Sequence, residues 1–110
     1  MAYDEHLAGR VRQLLVRRKG FSEQKMFGGI CFLLHGNMCC GVTTSQLMLR
    51  LGPEGAAEAL QKEPHTRKMD FTGKPLKSMI YVTSGGYETD EDLKRWVQRA
   101  AKFASSLPAK

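Results

Sequence analysis

The sequence predicts an α+β domain in which an antiparallel sheet of about five strands packs with three helices, in the order α-β-β-β-β-α-β-α. Two observations predict it. Apolar residues recur at helical spacing near both ends of the chain, and between them lie short alternating or wholly apolar runs separated by glycine turns. A length of 110 residues fits one core, so residues 1–110 read as a single domain.

Residues 4–18 read as the first helix. Leu7, Val11, Leu14 and Leu15 make one apolar stripe, Asp4 can cap the start, and Glu5 lies in the first turn, where acids are favoured. Arg17, Arg18 and Lys19 lie at the carbonyl end, and Gly20 supplies a left-handed stop. Lys25-Met26-Phe27 reads as a short strand broken at Gly28-Gly29. Residues 30–35 and 38–42 read as two strands joined at Gly36-Asn37, because both residues tolerate positive φ. That turn pairs His35 with Met38, Leu33 with Cys40 and Cys31 with Val42. One face then carries Cys31, Leu33, His35, Met38, Cys40 and Val42, and the other Ile30, Phe32, Leu34 and Cys39. Neither face is polar, which predicts either helices on both faces or a protein partner on one. A homodimer through a sheet face or edge follows as the expected assembly.

Residues 46–51 alternate as a fourth strand, with Leu47, Leu49 and Leu51 on one side. Gly52-Pro53-Glu54 opens a short alanine-rich helix that runs to about Leu60 or Gln61 and is ended by Pro64. Residues 65–77 read as irregular, and residues 78–83 as a strand. Thr89 caps the last helix, extended to about Leu107, with Asp90, Glu91 and Asp92 in its first turn. Its stripe is Leu93, Trp96, Val97, Ala100, Ala104 and Leu107.

Charge and motifs narrow the function classes. No apolar run approaches the roughly 18 residues that cross a bilayer, and the acidic N-terminus is not a signal peptide. No membrane association is expected, and the expected location is the cytoplasm. Cys31, Cys39 and Cys40 are odd in number, and two are adjacent, so they read as small buried thiols rather than a disulfide framework. There is no C-x-x-C and no paired histidine, so no metal ligand set is assigned. If the strand is regular, Cys39 and Cys40 face opposite ways. His6, His35 and His65 are scattered over a helix start, a hairpin turn and a basic loop, so no catalytic triad is assigned. Gly28-Gly29 precedes a strand rather than a helix, which argues against a dinucleotide loop and for a bend or close backbone approach. No cofactor is predicted, and no methyl-donor glycine loop is present.

The formal charge is +6. Lys94, Arg95, Arg99 and Lys102 lie opposite the apolar stripe of the last helix, and the segment from Lys62 to Lys77 adds five basic residues, among them Arg67 and Lys68. If contiguous, these form a candidate surface for nucleic acid or another anion. Asp70, alone among Arg67, Lys68, Lys74 and Lys77, reads as a local turn or salt-bridge residue.

An ordered set of segments resembles one family. Tyr3-Asp4-Glu5 opens the first helix; Lys25-Met26-Phe27-Gly28-Gly29 precedes the hairpin; Leu51-Gly52-Pro53-Glu54 links strand to helix. Met69-Asp70-Phe71-Thr72-Gly73 precedes Lys74-Pro75-Leu76-Lys77, and Trp96-Val97 is followed by Ser105, Leu107 and Pro108. Across nearly its whole length the chain is similar to the N-terminal domain of the TfoX/Sxy competence regulators. The resemblance implies an antiparallel sheet with packed helices, similar to secretion-chaperone-like folds. Full-length members regulate natural competence together with the cAMP receptor protein and carry a second, helical C-terminal domain. A non-enzymatic interaction or regulatory module, linked to transcription, is the expectation, with a nucleic-acid-binding accessory as the alternative.

Overall fold

A computed structural model describes residues 3–26, 29–44, 46–71 and 74–108. Helix α1 (Glu5–Leu15) leads into strands β1 (Phe21–Met26), β2 (Gly29–Leu34), β3 (Asn37–Val42) and β4 (Leu47–Arg50). Helix α2 (Gly52–Lys62) precedes strands β5 (Thr66–Phe71) and β6 (Lys74–Val82). A 3-10 turn at Ser84–Gly86 precedes helix α3 (Asp90–Ser105). All neighbouring strands pair antiparallel in one six-stranded sheet of order β1-β2-β3-β4-β6-β5.

Helices α1 and α3 form where side chains can satisfy their free ends. Asp4 Oδ1 accepts from the Leu7 amide at 3.1 Å, and Thr89 Oγ1 from the Asp92 amide at 3.1 Å. α1 ends at Leu15, a turn before the expected 18, and α3 at Ser105 rather than Leu107. Leu7, Ala8, Val11 and Leu15 of α1, Ala56 and Ala59 of α2, and Leu93, Trp96, Val97, Ala100, Ala101 and Ala104 of α3 meet one sheet face. There they bury Ile30, Phe32, Leu34, Val42, Leu47, Leu49, Ile80 and Val82 in the main core.

Three expectations are corrected. Residues 65–77 are not irregular: they hold β5 and the start of β6, which raises the strand count to six. Thr66-Arg67-Lys68 carries no apolar alternation, and its strand is held by pairing with β6 at the sheet edge. β1 also starts at Phe21, four residues earlier than expected. Finally, the β2–β3 turn lies on His35 and Gly36, at φ +53° and +82°, rather than on Gly36-Asn37. Asn37 instead pairs with Leu34, and its buried side chain donates from Nδ2 to the Pro108 carbonyl at 2.9 Å.

The shifted turn changes the whole register. Ile30 pairs with Val42, Cys31 with Gly41, Phe32 with Cys40 and Leu33 with Met38, with a bulge that leaves Cys39 extra. Cys39 and Cys40 therefore both join the main core, against the expectation that they face opposite ways. Cys31 lies on the second face with Met38, Met48 and Met79 in a separate sulfur-rich cluster, flanked by half-buried Tyr81. The cluster is buried within the chain: its members are at most 8% exposed.

Candidate functional site

Helix α3 carries four basic side chains, more than either other helix. An amphipathic helix with a deep apolar stripe must present its remaining positions outward. Lys94, Arg95, Gln98 and Lys102 are exposed, and Arg99 is half-buried. From Lys94 to Lys102 is eight residues, a span of about 12 Å.

This face rests on Trp96. The indole is buried, and its Nε1 donates to the Gly86 carbonyl at 3.0 Å, which fixes the ring. The Arg99 guanidinium lies 4.7 Å from the ring centroid and that of Arg95 lies 5.7 Å from it. Such stacking holds a guanidinium in place without neutralising it. Arg95 is also drawn to Glu63 at 3.5 Å and Asp92 at 3.8 Å. Both pairs are partly exposed and contribute under about 1 kcal/mol. Lys94, Arg99 and Lys102 make no ion pair among the described residues, so their charge is available to a partner.

The expected surface is brought together only in part. The four α3 residues share one helix face. Arg67 and Lys68, both exposed, lie on edge strand β5 opposite Tyr81 and Ile80, and so on opposite sides of the sheet. Ile80 belongs to the main core, so Lys68 lies on the helix side and Arg67 on the side of the sulfur cluster. The sequence reading did not identify the Trp96 support, although Trp96 sits three residues before Arg99, the spacing at which helical side chains meet.

Of the motif positions, Lys25 is exposed on β1. Gly29 opens β2 where a Cβ would overlap the Val42 carbonyl oxygen, a close backbone approach of the kind expected for the glycine pair. Met26 closes β1, and Met69, Asp70 and Phe71 lie in β5, with Asp70 paired to Pro75. Phe27, Gly28 and Gly73 lie outside the described residues, as does the side chain of Asp70, on which its expected local role depends.

Two of the thiols, Cys31 and Cys40, are held in their protonated form. Burial pushes Cys31 up to about 11. A hydrogen bond with Cys39, together with burial, raises Cys40 well above the usual thiol range. The thiolate is the nucleophile and metal ligand, so raised values make Cys31 and Cys40 poor candidates for either role. Among the described residues no group of three or more His, Cys, Asp or Glu side chains is placed to hold a metal ion. One surface depression of about 220 Å³ lies at Arg10, Gln13, Leu14, Asp90 and Leu93, and another of about 410 Å³ lies between the start of α2 and Phe103. The first is bridged by the Arg10–Asp90 pair at 3.1 Å; among the described residues Glu54 is the one charged side chain lining the second. Among the described residues no helix is long and apolar enough to cross a membrane.

Compared with known proteins, a family model described as the TfoX N-terminal domain matches residues 13–104. No curated protein matches the chain.

Proposed function

The chain belongs to the TfoX N-terminal domain family, and from that premise we propose that it is a non-enzymatic regulatory interaction module, working through the outer face of α3. The observation that carries this reading is the set Lys94, Arg99 and Lys102, which make no ion pair among the described residues and of which Arg99 is braced on Trp96. Cations held on a rigid helix recognise an anionic macromolecule at little entropic cost. The three buried cysteines suit the cytoplasm as the place where the module acts.

A nucleic-acid backbone is the second reading. Arg99 presents a planar fork suited to phosphate, with lysines about 7.5 Å before it and about 4.5 Å beyond it along the helix axis. Fluorescence anisotropy with duplex DNA, duplex RNA and poly-glutamate at roughly 50 mM salt tests both readings. Nucleic-acid binding with a log–log salt slope of about −3, lost in Lys94→Glu/Lys102→Glu, supports the second reading. Poly-glutamate binding alone, equally lost in that variant, supports an acidic protein partner. Binding of none of the three, or binding unchanged by the double reversal, refutes the α3 surface.

A further inference from the structure

We propose that β1 is a homodimerisation edge, pairing antiparallel with β1 of a second copy about a two-fold axis at Gln24, a surface separate from α3. β1 is the outermost strand on one side of the sheet, and its six residues pair with β2 without interruption. Ser22, Glu23, Gln24 and Lys25 are all exposed. A regular, proline-free edge is a template for another strand. The opposite edge is less suited: β5 is bulged between Lys68 and Asp70, and Arg67 and Lys68 would meet like charges in many self-pairings.

The charges on β1 choose one register. Glu23 and Lys25 lie on the same face, two residues apart. In a symmetric sheet extension only residues of equal parity oppose each other. An axis at Glu23 would set two carboxylates together, and an axis at Lys25 two ammonium groups. An axis at Gln24 sets each Glu23 opposite the partner's Lys25 and joins the two Gln24 residues at the centre. Glu23 is already oriented by Arg12 of α1, through Nε at 2.7 Å and Nη2 at 2.8 Å.

An apolar side chain lies on the same side. Val16 is 52% exposed, the one exposed large hydrophobic residue among those described. Its amide donates to the Arg12 carbonyl, so it sits one turn beyond Arg12 on the helix side that reaches β1. A second copy on this edge would cover it.

Sedimentation at up to about 500 μM, a range suited to a small interface, is expected to show a monomer–dimer equilibrium. Lys25→Glu should weaken it at least about tenfold by facing carboxylates across the axis. Gln24→Cys should form a disulfide-linked dimer on mild oxidation, because directly opposed antiparallel residues lie within disulfide reach. Ser22→Cys and Gln98→Cys, off the axis, should not. A strictly monomeric wild type, a Lys25→Glu dimer of unchanged strength, or off-axis cysteines that cross-link as readily as Gln24→Cys would overturn the proposal.

Discussion

At the scale of single residues, one glycine shows how local conformation and packing combine. Gly52 begins α2 at φ +82°, and a Cβ there would lie 2.6 Å from Phe103 Cε1 of α3. Gly52→Ala is therefore expected to cost about 1–3 kcal/mol, part from the left-handed backbone and part from the clash. Urea unfolding of Gly52→Ala with and without Phe103→Ala separates the two, since only the steric part disappears when the ring is removed. The need for a turn residue was legible in Gly52-Pro53-Glu54. The ring above it was not, because Phe103 arrives from fifty-one positions further along the chain. The same holds for Trp96 beneath Arg99: the spacing was readable, but the anchoring bond to the Gly86 carbonyl depends on where the 3-10 turn passes.

At the scale of elements, the helices were legible because burial stripes and caps are local signals, and Asp4, Thr89 and the apolar residues of α1 and α3 act as read. The β2–β3 hairpin was legible as a hairpin but not in its register. Moving the turn by one residue, to His35-Gly36, frees Asn37 to bind the Pro108 carbonyl, and the Cys39 bulge absorbs the change. Asn37→Ala is expected to destabilise the fold by about 1 kcal/mol, since the part-buried bond to the Pro108 carbonyl is lost. Asn37→Asp should cost more, because a carboxylate cannot donate and would face that oxygen. Hydrogen exchange at the Leu107 amide, bonded to the Ala104 carbonyl at 3.3 Å, should accelerate in both. β5 was missed because its Thr-Arg-Lys start carries no hydrophobic period; an edge strand can be specified by its neighbour's hydrogen bonds alone.

At the scale of the whole molecule, the two cores give stability a pH dependence on the alkaline side. Cys31 titrates near 11 rather than 9.0, Cys40 is also raised, and burial lifts Tyr87 above its ordinary value of 10.0. Groups whose folded values are raised keep their protons while the unfolded chain releases them, so their contribution is complete below about pH 9 and is lost as pH rises through the folded values. The unfolding free energy from urea titrations is expected to fall between pH 9 and 11 by up to about 1.4 kcal/mol per pH unit for each group above its unfolded value, and Cys31→Ala should reduce that slope. A midpoint flat to pH 11 would contradict the buried, protonated thiols. By itself the sequence determined the α+β class, the helix stripes and caps, the family and the cationic face of α3. All of these are written in residues close together along the chain. Tertiary structure alone decided the hairpin register, the placement of Cys39 and Cys40 together, the sixth strand and the separation of Arg67 and Lys68 across the sheet. Each of those depends on which distant backbone satisfies a hydrogen bond or fills a gap, and a one-residue shift that local propensity barely distinguishes changes which face a side chain occupies.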